Sequence, residues 1–361
     1  MVEATSKMVE RISDRDLLEM KEMDERLRIS MNFYSLLATA AFFLNSDMLP
    51  FIASRMVRLT MKNGLCIYSI IGFVQYAMVL SSDKIAKMDI EGASRIAKAA
   101  IVCSKTRYDT TEQLPNILCF YYGCIAFHTE PLQTCADMLR QGFDAGMSLG
   151  ESGMAFYNAI QHIKTEVMAG ARLPTLLEKV DYYLEQANTY QNEMAKVFLS
   201  IFRGTVSTLI DKRQSTSLSP LAIDIPTDTA NIKVLAVMYF QRAIEAYWQG
   251  YSERCQYYIG KLQKNSSEGK LISMTIVFIH GMNSSRFMKR ESIIKTRSIS
   301  KKKLRSVLKN AIKVLKTAAI HSCWNCLNKV RYNQSVFDAL LLSVTHGVSK
   351  FISPSHGILI P

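Results

Sequence analysis

The sequence has few of the residues that interrupt regular structure and form tight turns. Its 361 residues include 16 Gly and 8 Pro, fewer than an all-β protein with many short strands and turns would use. Hydrophobic residues make up 48% and charged residues 21%, a balance typical of a folded chain. The composition therefore favours a folded, helical protein.

Long hydrophobic runs are also scarce. The longest, Leu65 to Leu80, covers sixteen residues and is flanked closely by polar residues on both sides. A helix that crosses a bilayer needs about 20 apolar residues. A helix buried between neighbours explains this run better than a membrane span.

The motifs of nucleotide enzymes are absent. The sequence has no G-x-x-x-x-G-K-[ST] or G-x-G-x-x-G loop for phosphate, and the H-R-D and D-F-G motifs of protein kinases are missing. The six histidines are scattered, and His162, close to Ile160 and Ile163 on one helix, is typical of a core or surface histidine. We expect no catalytic residue and no cofactor, hence a protein that is not an enzyme.

The chain does contain a series of apolar helices separated by short polar or glycine turns. Ser13-Asp14 is predicted to cap the first helix, which continues through Leu27, and Asn63-Gly64 to end a later one. One helix pair occupies about 36 to 40 residues, close to the period of tetratricopeptide-like arrays. The pattern predicts an all-α fold, an α-solenoid of antiparallel helix pairs that forms a degenerate tetratricopeptide-like superhelix.

The net charge of +13 is concentrated in one segment. Residues 286–316 hold twelve Lys and Arg against one acid, whereas residues 1–285 carry no net charge. A solvated linker explains such a segment, but six of its cations are candidates to contact an anionic partner: Lys289, Arg290, Lys301, Lys302, Lys303 and Arg305. Only Phe287 offers an aromatic ring for base stacking. This scarcity disfavours nucleic acid.

The cysteines indicate a reducing compartment. Most of the eight lie in apolar helical runs, where a free thiol behaves as a small hydrophobe, and the N-terminus lacks the apolar core of a signal peptide. We therefore expect a cytoplasmic protein.

One C-x-x-C motif, Cys323 to Cys326, follows His321. These cysteines are candidates for a metal site or a redox pair. However, a zinc site needs two further ligands at suitable spacing, and a thioredoxin-like pair needs a βαβ context. Structural cysteines are favoured, and no metal site is expected.

The block from Met31 to Gly64 resembles a known family. Arg55, Val57, Leu59 and Gly64 match an R-x-V-x-L-x-x-x-x-G pattern that opens the tetratricopeptide-like region of very large signalling proteins. Those proteins join a serine/threonine-kinase-like domain, a STAND-type ATPase and a sensor histidine kinase or cyclase. The resemblance extends over about residues 25–330.

Later segments carry the same resemblance more loosely. Residues 90–98 and 243–251 are similar to the family's turns with a small residue, and residues 318–329 to an A-x-x-x-P-x-N-x-x-x-K element. The family's kinase, ATPase and output domains have no counterpart in this chain. The resemblance therefore implies a helical region without catalytic residues.

These observations predict five segments: an N-terminal helical lead-in (1–30), a tetratricopeptide-like α-solenoid (31–285), a basic linker (286–303), terminal helices (304–345) and an irregular tail (346–361). The predicted function is a non-catalytic scaffold or relay module of multidomain signal transduction, with protein domains as partners rather than nucleic acid or membranes. The alternative is a ligand-sensing receptor domain that binds a small molecule on its concave face.

Overall fold

The computed structural model describes residues 2–44, 46–81, 89–211 and 232–265. They contain thirteen α-helices and no strand longer than one bridging residue, so the described part is all-α. The helices are α1 (Val2–Glu10), α2 (Asp14–Leu18), α3 (Glu25–Phe43), α4 (Leu49–Asn63), α5 (Ile67–Leu80), α6 (Ile90–Thr106), α7 (Leu114–Cys124), α8 (Leu132–Ser148), α9 (Ser152–Ala169), α10 (Leu173–Thr189), α11 (Glu193–Ile210), α12 (Ile232–Gln249) and α13 (Ser252–Asn265).

Two compact units divide the chain between Arg203 and Gly204. The first contains α1 to α10 and most of α11. In the second, α12 and α13 pack against each other, with Tyr239 and Tyr258 stacked at a centroid distance of 6.3 Å. The basic linker, the terminal helices and the tail predicted for residues 286–361 lie outside the described residues.

In the first unit the odd-numbered helices form a buried layer. Helix α3 packs against α5, α5 against α7, and α7 against α9, while α4, α6, α8 and α10 pack beside them. Eleven of the 14 residues of α5 are buried, but only four of the 17 residues of α10. The sequence shows the same division, because α5 is apolar almost all round, whereas α10 is apolar on one stripe only.

The helix pairs recur at a regular interval. The even-numbered helices begin at Leu49, Ile90, Leu132 and Leu173, which lie 41, 42 and 41 residues apart. This period is longer than the predicted 36 to 40 residues, partly because 3₁₀ turns at Thr111–Gln113 and Ala126–His128 lengthen the connections around α7. It exceeds the 34 residues of a tetratricopeptide repeat and lies in the range of about 40–47 residues found in HEAT and armadillo arrays.

The N-terminal segment differs from its predicted single helix. Ser13 caps α2 as expected, in a capping box with Asp16, but a continuous helix through Leu27 is wrong. The chain leaves α2 after Leu18 and makes a parallel bridge between Glu22 and Leu65. The amide of Leu65 donates to the carbonyl of Lys21 at 2.8 Å, and this pairing interrupts the helix.

Two arginines hold this segment on α6. Arg95 donates to the carbonyls of Val9 and Ile12 at 2.9 and 3.3 Å. Arg107 donates to the carbonyls of Leu18 and Met20 at 3.0 and 2.7 Å. The guanidinium groups thus satisfy carbonyls at or just beyond the ends of α1 and α2, where intrahelical donors are lacking.

Candidate functional site: a buried histidine network between α9 and α10

Helix α9 carries a row of buried polar residues. Asn158, Gln161, His162 and Thr165 are all at most 8% exposed. The side-chain amide of Asn158 donates to the carbonyl of Pro115 at 2.9 Å, which links α9 to the first turn of α7. Because buried polar groups are costly unless they are hydrogen-bonded, these residues fix how α9 packs.

His162 lies at the centre of the most connected group. Its Nδ1 is 2.8 Å from the hydroxyl oxygen of Tyr183 on α10, and its Nε2 is 3.5 Å from Oε1 of Glu166, one turn further along α9. The same Oε1 accepts from Nζ of Lys179 at 2.8 Å. Tyr183, His162, Glu166 and Lys179 therefore form one chain of polar contacts across the α9–α10 pair, called the histidine network below.

The network shifts the pKa of its acidic members in opposite directions. Hydrogen bonds from His162 and Lys179 lower the pKa of Glu166 to about 2, against the opposing effect of burial. Burial raises the pKa of the Tyr183 hydroxyl. At neutral pH Glu166 is therefore a carboxylate and Tyr183 a neutral donor.

An aromatic and cationic group surrounds the tyrosine. The ring of Tyr183 packs edge-on against Phe143 of α8 at 4.8 Å. The guanidinium of Arg140 lies 5.6 Å from the ring centroid of Tyr182 and 6.0 Å from that of Tyr183, within cation–π range. Helices α8, α9 and α10 thus meet at this tyrosine.

A tyrosine, a histidine and a glutamate in hydrogen-bond contact have the chemistry of a general acid–base group. Access decides against that role, because Tyr183 is fully buried and His162 is 3% exposed. A substrate cannot reach Nδ1, which the tyrosine hydroxyl already occupies. The arrangement joins two helices and fixes their register.

Neither metal binding nor thiol chemistry has a site in the part of the chain described. Its residues contain no group of three or more His, Cys, Asp and Glu side chains suited to a metal ion. All six described cysteines are free, and all but Cys124 are buried. Burial raises the pKa of Cys103, Cys119 and Cys135, the last to about 12, which disfavours the reactive thiolate.

The site residues predicted from the sequence all lie in the C-terminal part of the chain. The candidate metal or redox cysteines Cys323 and Cys326 fall outside the described residues. The six candidate anion-contact residues, Lys289, Arg290, Lys301, Lys302, Lys303 and Arg305, fall outside them as well.

The sequence pattern does not predict the histidine network. It identifies His162 as a candidate core residue, but the partner Tyr183 is 21 residues away on the next helix. The available signal is the i, i+4 spacing of His162 and Glu166, which places both side chains on one face of a helix. Nothing local points to Tyr183 or Lys179.

In the described residues, no helix is both long enough and apolar enough to cross a membrane. The helix in the longest apolar run, α5, has 14 residues. No protein-family model, curated protein or solved structure matches the chain.

Proposed function

We propose that the chain is a non-catalytic α-solenoid that serves as a scaffold or relay module in multidomain signal transduction. Its partners on this proposal are protein domains in the cytoplasm, including the ATPase and kinase domains that accompany similar helical regions. The proposal rests first on the buried layer in which α3, α5, α7 and α9 pack in succession. This pattern is the one expected when each helix pair contacts mainly its neighbours.

The regular interval between helix pairs supports the solenoid part of the proposal. Starts of even-numbered helices separated by 41 or 42 residues are typical of arrays in which every repeat is one helix pair. The period favours a HEAT-like spacing over a tetratricopeptide spacing. The internal polar groups support the same proposal, because the histidine network lies between helices and not in an open cleft.

A direct test measures ATP hydrolysis and phosphotransfer by the purified full chain. We expect neither above the level of a blank preparation, since the sequence has no phosphate loop. Saturable ATP turnover that co-purifies with the chain would overturn the proposal. Sequencing of the full-length transcript tests the relay role, which requires kinase or ATPase coding sequence in the same reading frame.

Thermal-shift screening with metabolites tests the alternative of a ligand-sensing domain. A scaffold is expected to show no saturable rise in Tm, because a ligand stabilises only a state that binds it. A metabolite that raises Tm in a concentration-dependent way would favour the receptor function over the scaffold.

A further inference from the structure

The outward side of α3 is apolar over four turns. Five large apolar side chains along it are 55 to 79% exposed: Ile29, Phe33, Leu36, Leu37 and Leu44. They recur at helical spacing, on the side opposite to the residues that α3 buries, which are Met31, Ser35, Ala38 and Ala41. Met48 and Phe51, just after the helix in the chain, add 57 and 46% exposed side chains. These seven exposed residues are called the α3 face below.

The α3 face is large for the surface of a monomer. A large apolar side chain that is half exposed leaves on the order of 100 Å² in water, so seven such residues leave on the order of 700 Å². The largest apolar patch of a typical monomer covers about 300–600 Å². A stable protein–protein interface buries about 800 Å² on each partner. The α3 face has the area of one side of a dimer interface.

Its place in the helix layer explains why α3 is exposed. In the buried layer, α5 and α7 each pack between two odd-numbered helices, whereas α3 is the first member and has α5 on one side. The N-terminal segment does not cover α3 among the described contacts, because α1 packs on α4 and α2 on α6. A helix array needs a cap on its terminal helix, and in α3 the expected polar outer surface is replaced by an apolar one.

The α3 face is self-complementary in an antiparallel arrangement. Two copies centred between Leu36 and Leu37 would place Ile29 of one copy beside Leu44 of its partner. The same register places Arg26, at the start of the helix, at the level of Asp47, just after its end. Both charged residues are exposed, so each end of the apolar stripe would bring together opposite charges.

We propose that the chain forms a homodimer in which the α3 faces of two copies pack antiparallel across a twofold axis at Leu36 and Leu37. Each α3 then continues the buried layer of the other copy. The Arg26–Asp47 pairs set the register and orientation, since surface charges contribute more to specificity than to affinity. The inference rests on burial, packing and charge and is independent of the proposed signalling role.

Sedimentation velocity and light scattering of the purified full chain at micromolar concentration test the dimer, because interfaces of this size have Kd values between about micromolar and picomolar. We expect a dimer for the wild-type chain and a monomer for Phe33→Glu, since a buried carboxylate at the interface lowers the affinity by more than about a hundredfold. The helical circular dichroism should not change, because Phe33 is 65% exposed in the isolated chain.

A matched control is Val102→Glu. Val102 is also an exposed apolar residue, 45% exposed, but lies on α6, so this variant should remain a dimer. If Phe33→Glu and Val102→Glu behave alike, the α3 face is not the interface.

The orientation is tested by exchanging the two charges. Arg26→Asp and Asp47→Arg should each weaken the dimer by about tenfold, and the double variant should restore the wild-type Kd. A double variant as weak as either single variant would contradict the antiparallel register. A wild-type chain that stays monomeric, including one that binds lipid vesicles or another protein through the α3 face, would overturn the proposal.

Discussion

Nδ1 of His162 lies 2.8 Å from the hydroxyl oxygen of Tyr183, and this contact joins α9 to α10. The other ring nitrogen faces the carboxylate of Glu166, which accepts and cannot donate. The geometry therefore assigns the proton to Nε2 and leaves Nδ1 to accept from the tyrosine. The direction of the hydrogen bond follows from the glutamate one turn away.

Tyr183→Phe should lower the free energy of unfolding by about 1–2 kcal/mol, because it leaves Nδ1 of His162 buried without a donor. The phenyl ring keeps the packing against Phe143, so the loss measures the hydroxyl alone. Chemical denaturation with a fixed m-value is the appropriate measurement. The neighbouring Tyr182, 41% exposed, provides the control, and Tyr182→Phe should stay within about 0.5 kcal/mol of wild type. Equal losses in the two variants would show that the hydrogen bond contributes nothing.

Glu166 makes stability depend on pH in acid. Its pKa is lowered from 4.5 to about 2 in the folded chain by hydrogen bonds from His162 and Lys179. A depressed folded pKa contributes stability that is present above pH 4.5 and is lost as the pH falls toward 2. The shift corresponds to at most about 3 kcal/mol.

We therefore expect Glu166→Gln to destabilise the chain most at about pH 5 to 7, and the difference from wild type to shrink between pH 4.5 and 2. Unfolding curves at stepped pH measure this difference directly. Glu185, an exposed glutamate on α10, gives the control: the stability of Glu185→Gln should follow that of wild type at every pH. A constant gap between Glu166→Gln and wild type at all pH values would contradict the assignment.

Local patterns predicted much of the fold. The composition predicted an all-α chain, and the bounds of α12 agree with the structure because its apolar spacing and flanking polar residues are local signals. The apolar run at Leu65 to Leu80 was correctly interpreted as a buried helix, although Leu65 itself lies in the bridge to Glu22. That bridge joins two residues that are far apart in the chain, so no short window of sequence contains both.

Long-range pairing also explains why the candidate site could not be predicted. His162 and Glu166 share a helix face, so their proximity follows from spacing alone. Tyr183 and Lys179 reach them only because α10 folds back beside α9 at a particular register. The exposed stripe on α3 was hidden for a related reason, because an apolar helix in the sequence does not reveal which of its sides lacks a neighbour.

Arg107 should control the local stability of the N-terminal segment. It donates to the carbonyls of Leu18 and Met20 and pairs with Glu22. Arg107→Ala removes these bonds and should accelerate hydrogen exchange of the amides around Leu17 to Met23 by about thirtyfold, which corresponds to about 2 kcal/mol.

Two further variants sharpen the test of Arg107. Arg107→Lys should rescue little, because an ammonium group cannot reproduce the planar fork that reaches both carbonyls and the carboxylate. Arg58, exposed on α4, supplies the control, and Arg58→Ala should leave exchange in the segment unchanged. Wild-type exchange rates in Arg107→Ala would show that other contacts hold the segment.

Gly64 is required by backbone geometry at the start of the bridge. Its φ is +111°, and a Cβ at this position would overlap the carbonyl oxygen of Lys21. Gly64→Ala should therefore lower the free energy of unfolding by about 2 kcal/mol or more, since it combines a strained φ with a backbone clash. Gly153, in the first turn of α9, offers a contrast with the opposite sign. A methyl group there would meet no atom within 4 Å, so Gly153→Ala should stabilise the chain by about 0.5–1 kcal/mol. Thermal and denaturant unfolding of the two variants should move in opposite directions, and a neutral Gly64→Ala would mean that the Glu22–Leu65 bridge does not form in solution.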